Sequence, residues 1–379
     1  MALKGIKVLE LAGLAPGPHC GMILCDFGAT VTRVDRIIDN PLDCLGKGKR
    51  TIAINIKSAK GQELVRALSK TSDVLIEPYR PGVMEKLNLG PEILLDENPR
   101  LIYARLTGFG QTGPLAKRAG HDINYVAMSG ILSMLGRSNE PPTPPINLIA
   151  DFAGGGLLCA FGILAAIVER HSSGKGQIVD CSMTEGAAYV GSWLTRSRNL
   201  PIWGGGRGEN ILDGGAFYYG TYETSDGKYM SVGALEPQFY SEFMRILELD
   251  FDQFDPNIDK CRKEVQQIFK TKTQSEWSKL FESVDACVFP VLQWKNAEQH
   301  PHNNVRNSFV SKAVTDGIVV PTPAPLLSRT PAVSGVQCEC QNYSKQIEEI
   351  FKDAGLTAAE VKKYQKDGAL ILPNSNAKL

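Results

Sequence analysis

The sequence predicts an α/β protein: a large domain on a Rossmann-like parallel sheet, with a smaller α+β domain attached. Three observations carry this. Strand-like and helix-like runs alternate over the first 200 residues, the strand runs are apolar throughout, and glycine-dense and proline-dense stretches bracket a segment of different pattern.

Strands are expected over 7–11, 30–35, 51–56, 73–77 and 101–107, with helices over 18–27 and 60–68. Val31, Val34, Ile52, Ile54, Val74, Leu75 and Ile76 form strand cores that do not alternate with polar residues, as in strands covered by helices on both faces. An apolar helix starting near Gly154, a strand over 177–181 and a helix over 184–194 complete the first part of the large domain, 1–200. Glycines between Trp203 and Gly215 suggest a linker over 201–223. Short strands over 218–223 and 228–233 flank the turn Ser225-Asp226-Gly227, and helices over 238–247, 260–269 and 274–281 fill a small domain, 224–317. Pro321, Pro323, Pro325 and Pro331 fix φ and remove donors, so 318–331 reads as an extended connector. Helices over 345–354 and 357–365 return the chain to the large domain, 332–373, and 374–379 reads as a tail.

Composition narrows the function. With 379 residues, 43% hydrophobic and 22% charged, the chain is globular by bulk and long enough for two or three domains. Lysine plus arginine, 41, equals aspartate plus glutamate, 41, so no overall field favours nucleic acid or an anionic membrane. Nine cysteines without Cys-x-x-Cys pairs fit reduced thiols in an intracellular compartment better than a disulfide or zinc framework. The apolar run 157–168 is broken by Gly162, stops at Glu169-Arg170 and falls short of the ~20 residues of a membrane span, so no span is expected. Residues 1–5 do not open a secretory signal. Ala377-Lys378-Leu379 differs in one residue from the Ser-Lys-Leu peroxisomal address.

The motifs for several chemistries are missing. After the first strand stands Gly13-Leu14-Ala15-Pro16-Gly17-Pro18 rather than G-x-G-x-x-G, and no P-loop occurs, which counts against nicotinamide chemistry and nucleotide hydrolysis. No Gly-x-Ser-x-Gly elbow, His-Glu-x-x-His or paired-cysteine metal site supports serine or zinc catalysis.

Arg36 at the end of the second strand, then Lys47, Lys49, Arg50, Lys57 and Arg80, concentrate cations near strand ends. Ligands of open α/β sheets bind beyond the carboxyl ends, so this is either a polyphosphate cradle or a solvated loop. Three ionisable groups occupy uncharged settings. His121 follows Gly120 and fits a structural role as well as a catalytic one. Asp151 precedes Gly154-Gly155-Gly156 and could serve only as a helix cap, and Glu236 before Pro237 could serve only as a helix-entry residue. Met128, Met134, Met183 and Trp193 suit an adaptable acyl pocket or, more simply, core packing.

Longer motifs add a resemblance. With Gly17-Pro18-His19, Asp26-Phe27-Gly28-Ala29, Tyr79-Arg80-Pro81-Gly82-Val83, Thr107-Gly108-Phe109-Gly110-Gln111-Thr112-Gly113-Pro114, Gly120-His121-Asp122 and Leu235-Glu236-Pro237-Gln238-Phe239-Tyr240, the chain resembles the class III CoA transferases (CaiB/BaiF type) over nearly its whole length. That resemblance implies an interlocked homodimer whose active sites each lie between one subunit's large domain and its partner's small domain. It implies CoA binding by Arg36, Ile54, Asn55, Ile56, Lys57 and Arg80 and by Gly120, His121, Asp122, Ile123, Asn124 and Tyr125. In the transferase branch the aspartate at 151 is a nucleophile. The racemase branch, acting on 2-methylacyl-CoA thioesters, adds the histidine at 121 and the glutamate at 236, and this chain has all three.

The expected chemistry is therefore racemisation through an enolate, with His121 and Asp151 exchanging protons on opposite faces of the α-carbon. Glu236 would hold the far imidazole nitrogen, and the Asp122 backbone N–H would meet the enolate oxygen. Burial beside Ile149 and Phe152 would raise the Asp151 pKa, while the positive end of the Gly154 helix would lower it. The CoA group is part of the substrate, so no cofactor or metal is expected. Branched fatty acyl and bile-acid side-chain CoA esters are the implied substrates, in peroxisomes with a mitochondrial share, through an import receptor that reads 377–379. The rival readings are a CoA transferase using Asp151 as nucleophile and a non-catalytic carrier of CoA esters.

Overall fold

Strands of one direction need crossovers between them, and the helical runs supply these. The structure is a computed structural model that describes residues 1–371 apart from 39, 41, 316 and 339–341. The tail 374–379, with Ala377-Lys378-Leu379, lies outside the described residues. Six parallel strands, β1 (Lys7–Leu11), β2 (Thr30–Asp35), β3 (Arg50–Ile54), β4 (Val74–Glu77), β5 (Ile102–Thr107) and β6 (Ile178–Ser182), run in the order β3-β2-β1-β4-β5-β6. The strand Leu370–Ile371, not expected from sequence, pairs antiparallel with β3, Leu370 opposite Ile54. The order reverses between β1 and β4, the switch point beyond which doubly wound sheets hold ligands.

The strand expected over 51–56 ends at Ile54. Asn55 Oδ1 accepts the Lys57 N–H at 3.2 Å, an Asx turn that breaks the extended run, and Ser58 then caps the helix Ala59–Lys70 through the Gly61 N–H. Residues 55–57 thereby leave the sheet at its carboxyl edge. Leu9, Ile52, Leu75 and Tyr103 of the sheet pack with Leu64, Leu68 and, from the helix Tyr343–Asp353, Ile347 and Phe351.

The helix expected from near Gly154 begins six residues earlier. Leu148–Leu157 is wound as a π-helix and continues as the α-helix Leu158–Ser173. Its glycines permit close packing: a Cβ on Gly154 would lie 2.5 Å from the Ala187 backbone nitrogen, and one on Gly156 would lie 2.5 Å from His19 Nδ1. The joined segment Leu148–Ser173, 26 residues at hydropathy 1.9, is long and apolar enough to cross a membrane by length and composition. Here the segment is a core helix: Cys159, Ile163, Ala166 and Ile167 are buried, and Arg170 is tied to Asp73 at 2.9 Å and to Arg100 O at 2.9 Å.

The chain divides into two compact units. The larger comprises Met1–Ser129, Ile146–Val190 and the residues from Pro301 onward, and the smaller comprises Gly130–Pro145 and Gly191–His300. The smaller unit holds an antiparallel sheet of β7 (Tyr219–Glu223), β8 (Tyr229–Gly233) and β9 (Val288–Pro290). Helices Pro237–Leu247, Ile258–Phe269 and Gln274–Phe281 bury Phe243, Phe269 and Trp277 in its core. The glycine-dense stretch 201–223, expected as a linker, groups with this unit. Asp213 Oδ1 accepts the Asn210 N–H at 2.7 Å, and Arg207 donates to the carbonyls of Ser133, Arg137 and Glu140. Residues 301–317 group with the larger unit.

Candidate active site

A cavity of about 530 Å³ opens at the carboxyl edge of the large sheet. Of the residues expected to hold CoA, Arg36, Ile54, Asn55, Ile56 and Lys57 line it, whereas Arg80 and the segment 120–125 do not. The end of β2 supplies Arg36, and the Asx turn after β3 supplies the others. Tyr79 and Lys86 line it too; sequence reasoning missed both as ligand residues. Tyr79 follows β4, where the Glu77 carboxylate accepts its N–H at 2.7 Å, and Lys86 ends the four-residue helix Val83–Lys86. A long apolar periodicity would have flagged Lys86; four residues give none. Among the described residues, no carboxylate pairs with Arg36, Lys57 or Lys86. Three free cations with Ile54, Ile56 and Tyr79 suit a phosphate-bearing ligand with an aromatic or apolar part.

Other members of the expected cradle are placed elsewhere. Lys49 is fully buried, 2.7 Å from Glu10 Oε2 and 2.8 Å from Pro18 O. Arg50 opens β3 at the amino edge, where it reaches Asp353 at 2.8 Å. Lys47 lines a separate hollow with Cys25 and Gly335. Arg80 does not line the cavity that holds Arg36 and Lys57; its guanidinium donates to Lys117 O at 3.5 Å.

The 120–125 segment follows β5. His121 is the N-cap of the helix Asp122–Met128 and is exposed, and its N–H is accepted by Asn124 Oδ1 at 3.0 Å. Tyr125 donates its hydroxyl to Gly120 O and packs edge-on against Phe109, ring centroids 5.0 Å apart. A Cβ on Gly108 would lie 2.2 Å from the Tyr125 ring, so that position requires glycine. Ile123 and Asn124 are exposed on the same turn. The Asp122 backbone N–H, first in the helix, meets no acceptor among the described residues.

Asp122 also acts through its side chain, which sequence reasoning did not anticipate. Its buried Oδ1 accepts the N–H of Ala150 and of Asp151, each at 2.8 Å. The capping role considered for Asp151 thus belongs to Asp122; Asp151 lies inside the first turn of the π-helix. The competing effects on its carboxyl resolve upward. Burial raises it, the Asn147 amide at 3.3 Å lowers it, the Asp122 charge raises it and the His121 charge lowers it. His121 thus acts on Asp151 from a second segment, which Asp122 joins to the first.

Glu236 belongs to the smaller unit, where it is the N-cap of the helix Pro237–Leu247, the helix-entry position its sequence context suggested. Met183 is buried core, Met128 is exposed one turn beyond Tyr125, and Trp193 stacks edge-on against Trp203 within the smaller unit. Among the described residues, no three His, Cys, Asp or Glu side chains converge to hold a metal ion.

Comparison with known proteins gives concordant findings. The family model described as CoA-transferase family III matches residues 3–337. The chain is 48% identical to the alpha-methylacyl-CoA racemase of Mus musculus over 374 residues, 97% of both chains. It is also 48% identical to the protein of that name from Homo sapiens, covering 100% of this chain and 99% of the other. Among solved structures, a CaiB/BaiF family protein from Brucella suis shares the fold, with a TM-score of 0.75 at 24% identity over 92% of this chain and 99% of that one.

Proposed function

The chain belongs to CoA-transferase family III, and on that premise we propose that it interconverts the (2R) and (2S) epimers of 2-methylacyl-CoA thioesters. The observation that carries this reading is the placement of Asp151: a half-buried carboxyl raised toward its protonated form, within electrostatic reach of His121. Inversion beside a thioester needs a proton removed from one face of the carbon and returned to the other. Neutral His121 takes the proton of the (S) epimer while protonated Asp151 delivers to the opposite face, and the roles reverse for the (R) epimer. The Asp122 N–H meets the enolate oxygen where its charge develops.

The cavity of Arg36, Asn55 and Lys57 takes the CoA phosphates, which fixes the acyl end relative to the two proton carriers. Glu236 completes the site by holding the imidazole. Its place in the smaller unit agrees with an interlocked homodimer in which the partner's copy supplies it. No cofactor is required beyond the CoA of the substrate. Branched fatty acyl and bile-acid side-chain esters are the proposed substrates, and residues 377–379 the address read by a peroxisomal import receptor, with a mitochondrial share.

Heavy-water exchange tests the reading. Either epimer of a 2-methylacyl-CoA should take up deuterium at the α-carbon with no acceptor carboxylate present. Acceptor-dependent CoA exchange, with an acyl-enzyme trapped by hydroxylamine and no α-exchange, would instead identify a transferase using Asp151 as nucleophile.

A further inference from the structure

Asp122 is 4% exposed, yet only one of its carboxylate oxygens is bonded: Oδ2 is buried with no donor among the described residues. Burying a carboxylate is costly, and two hydrogen bonds to one oxygen offset that cost only in part. The bonds alone do not require a carboxylate, because an asparagine carbonyl would accept the same two N–H groups. What the carboxylate adds is a negative charge one residue from His121 and directly on the backbone of Asp151.

We infer that the Asp122 side chain is a positioning residue for the proposed racemisation: it clamps the segment carrying Asp151 to the segment carrying His121 and sets a negative charge beside both. The inference rests on the racemase reading. A π-helix is an uncommon winding, and the clamped N–H groups belong to its first turn. Without the clamp, the Asn147 amide, at 3.3 Å, is the sole partner among the described residues that orients the Asp151 carboxyl. Ionisable groups on the elements around this segment include His19, Cys20, Cys25 and Asp26 on Pro16–Asp26, where His19 packs edge-on to Phe152, Tyr125 on the helix Asp122–Met128, Asp180 and Cys181 on β6, and Glu185 and Tyr189 on Met183–Val190. The charges that act on the Asp151 carboxyl are those of Asp122 and His121, opposite in effect.

Two variants of the full-length protein test this. In D122A, amide hydrogen exchange at Ala150 and Asp151 should speed by about tenfold or more, and kcat for α-deuterium exchange should fall about 100-fold with KM nearly unchanged. In D122N the carbonyl clamp survives and the charge is lost. Those amides should stay protected, activity should remain within about tenfold of wild type, and the acid limb of the kcat/KM profile should move to lower pH. A structural role alone would lower activity without moving that limb. Unchanged amide protection in D122A, or a D122N pH profile superimposable on wild type, overturns the inference while the racemase reading stands. If D122A does not fold, D122N decides alone. A wild-type protein without α-exchange overturns the racemase reading, and the positioning role with it.

Discussion

Lys49 Nζ lies 2.7 Å from Glu10 Oε2 with both side chains fully buried, beneath the helix Pro16–Asp26. Burial, outweighing the Lys49 charge, raises the Glu10 carboxyl. A buried pair of this kind contributes little net stability, but breaking it strands a charge. Glu10→Gln should therefore destabilise the protein by about 3–5 kcal/mol in urea unfolding. Lys49→Met should cost less, because Glu10 can take up a proton. The double variant Glu10→Gln/Lys49→Met should recover much of the Glu10→Gln loss; additive losses would show that the two side chains are not coupled.

The fate of Lys49 shows what the sequence could and could not disclose. Strand positions were readable because unbroken apolar runs such as 74–76 admit few alternatives, and the small-domain helix over 274–281 matches Gln274–Phe281. Whether a lysine near a strand end faces a ligand or a buried carboxylate depends on a partner 39 residues away, so Lys49 and Lys57 looked alike. The π-helix escaped notice because Leu148 to Gly156 has no capping signal of its own; its acceptor is Asp122, from another segment. The two-residue strand Leu370–Ile371 is too short to show alternation. His121, Asp151 and Glu236 were found through the family likeness, and none was distinctive alone.

The division of labour between His121 and Asp151 predicts loss of exchange with retention of binding. His121→Ala and Asp151→Asn should each reduce α-deuterium exchange by roughly 10²–10⁴-fold, the usual contribution of one positioned acid or base. Product CoA should still bind to both, as seen by calorimetry. Asp151→Asn should also be more stable than wild type at neutral pH. A raised carboxyl contributes stability below its unfolded value that is lost as pH rises through the folded value, and the amide removes that loss.

Arg36 and Lys57 face the same cavity without carboxylate partners among the described residues. Charge-assisted hydrogen bonds are worth about 1.5–3 kcal/mol, so Arg36→Ala or Lys57→Ala should raise KM for the thioester by roughly 10–100-fold with kcat little changed. The effect should shrink as salt is added, since partly exposed cations are screened. A drop in kcat at constant KM would place these residues nearer the reacting carbon than the cavity allows.

Gly108→Ala tests the support of the 120–125 turn. The added Cβ would fall 2.2 Å from the Tyr125 ring, which is held by its bond to Gly120 O and by Phe109. Overpacking of that kind costs about 1–3 kcal/mol. Because Tyr125 belongs to the helix that His121 caps, the activity loss should exceed what reduced stability explains. A companion Tyr125→Leu change should restore stability but not the tie to Gly120.

Glu77 links pH to the strand edge that carries Tyr79. Burial pushes its carboxyl up to about 7, even though Arg105 Nε lies 2.6 Å from Oε1. A folded value above the unfolded one means that the folded state holds the proton longer. The stability so gained is complete below pH 4.5 and is lost as pH rises through about 7. Glu77→Gln lacks this term. Measured by urea midpoints between pH 5 and 7, the stability of wild type relative to Glu77→Gln should fall as pH rises, by at most roughly 1.4 kcal/mol per unit. A difference that is flat or grows with pH would mean that Arg105 already holds Glu77 ionised. In that case the Tyr79 N–H would be bonded to a full carboxylate throughout the range.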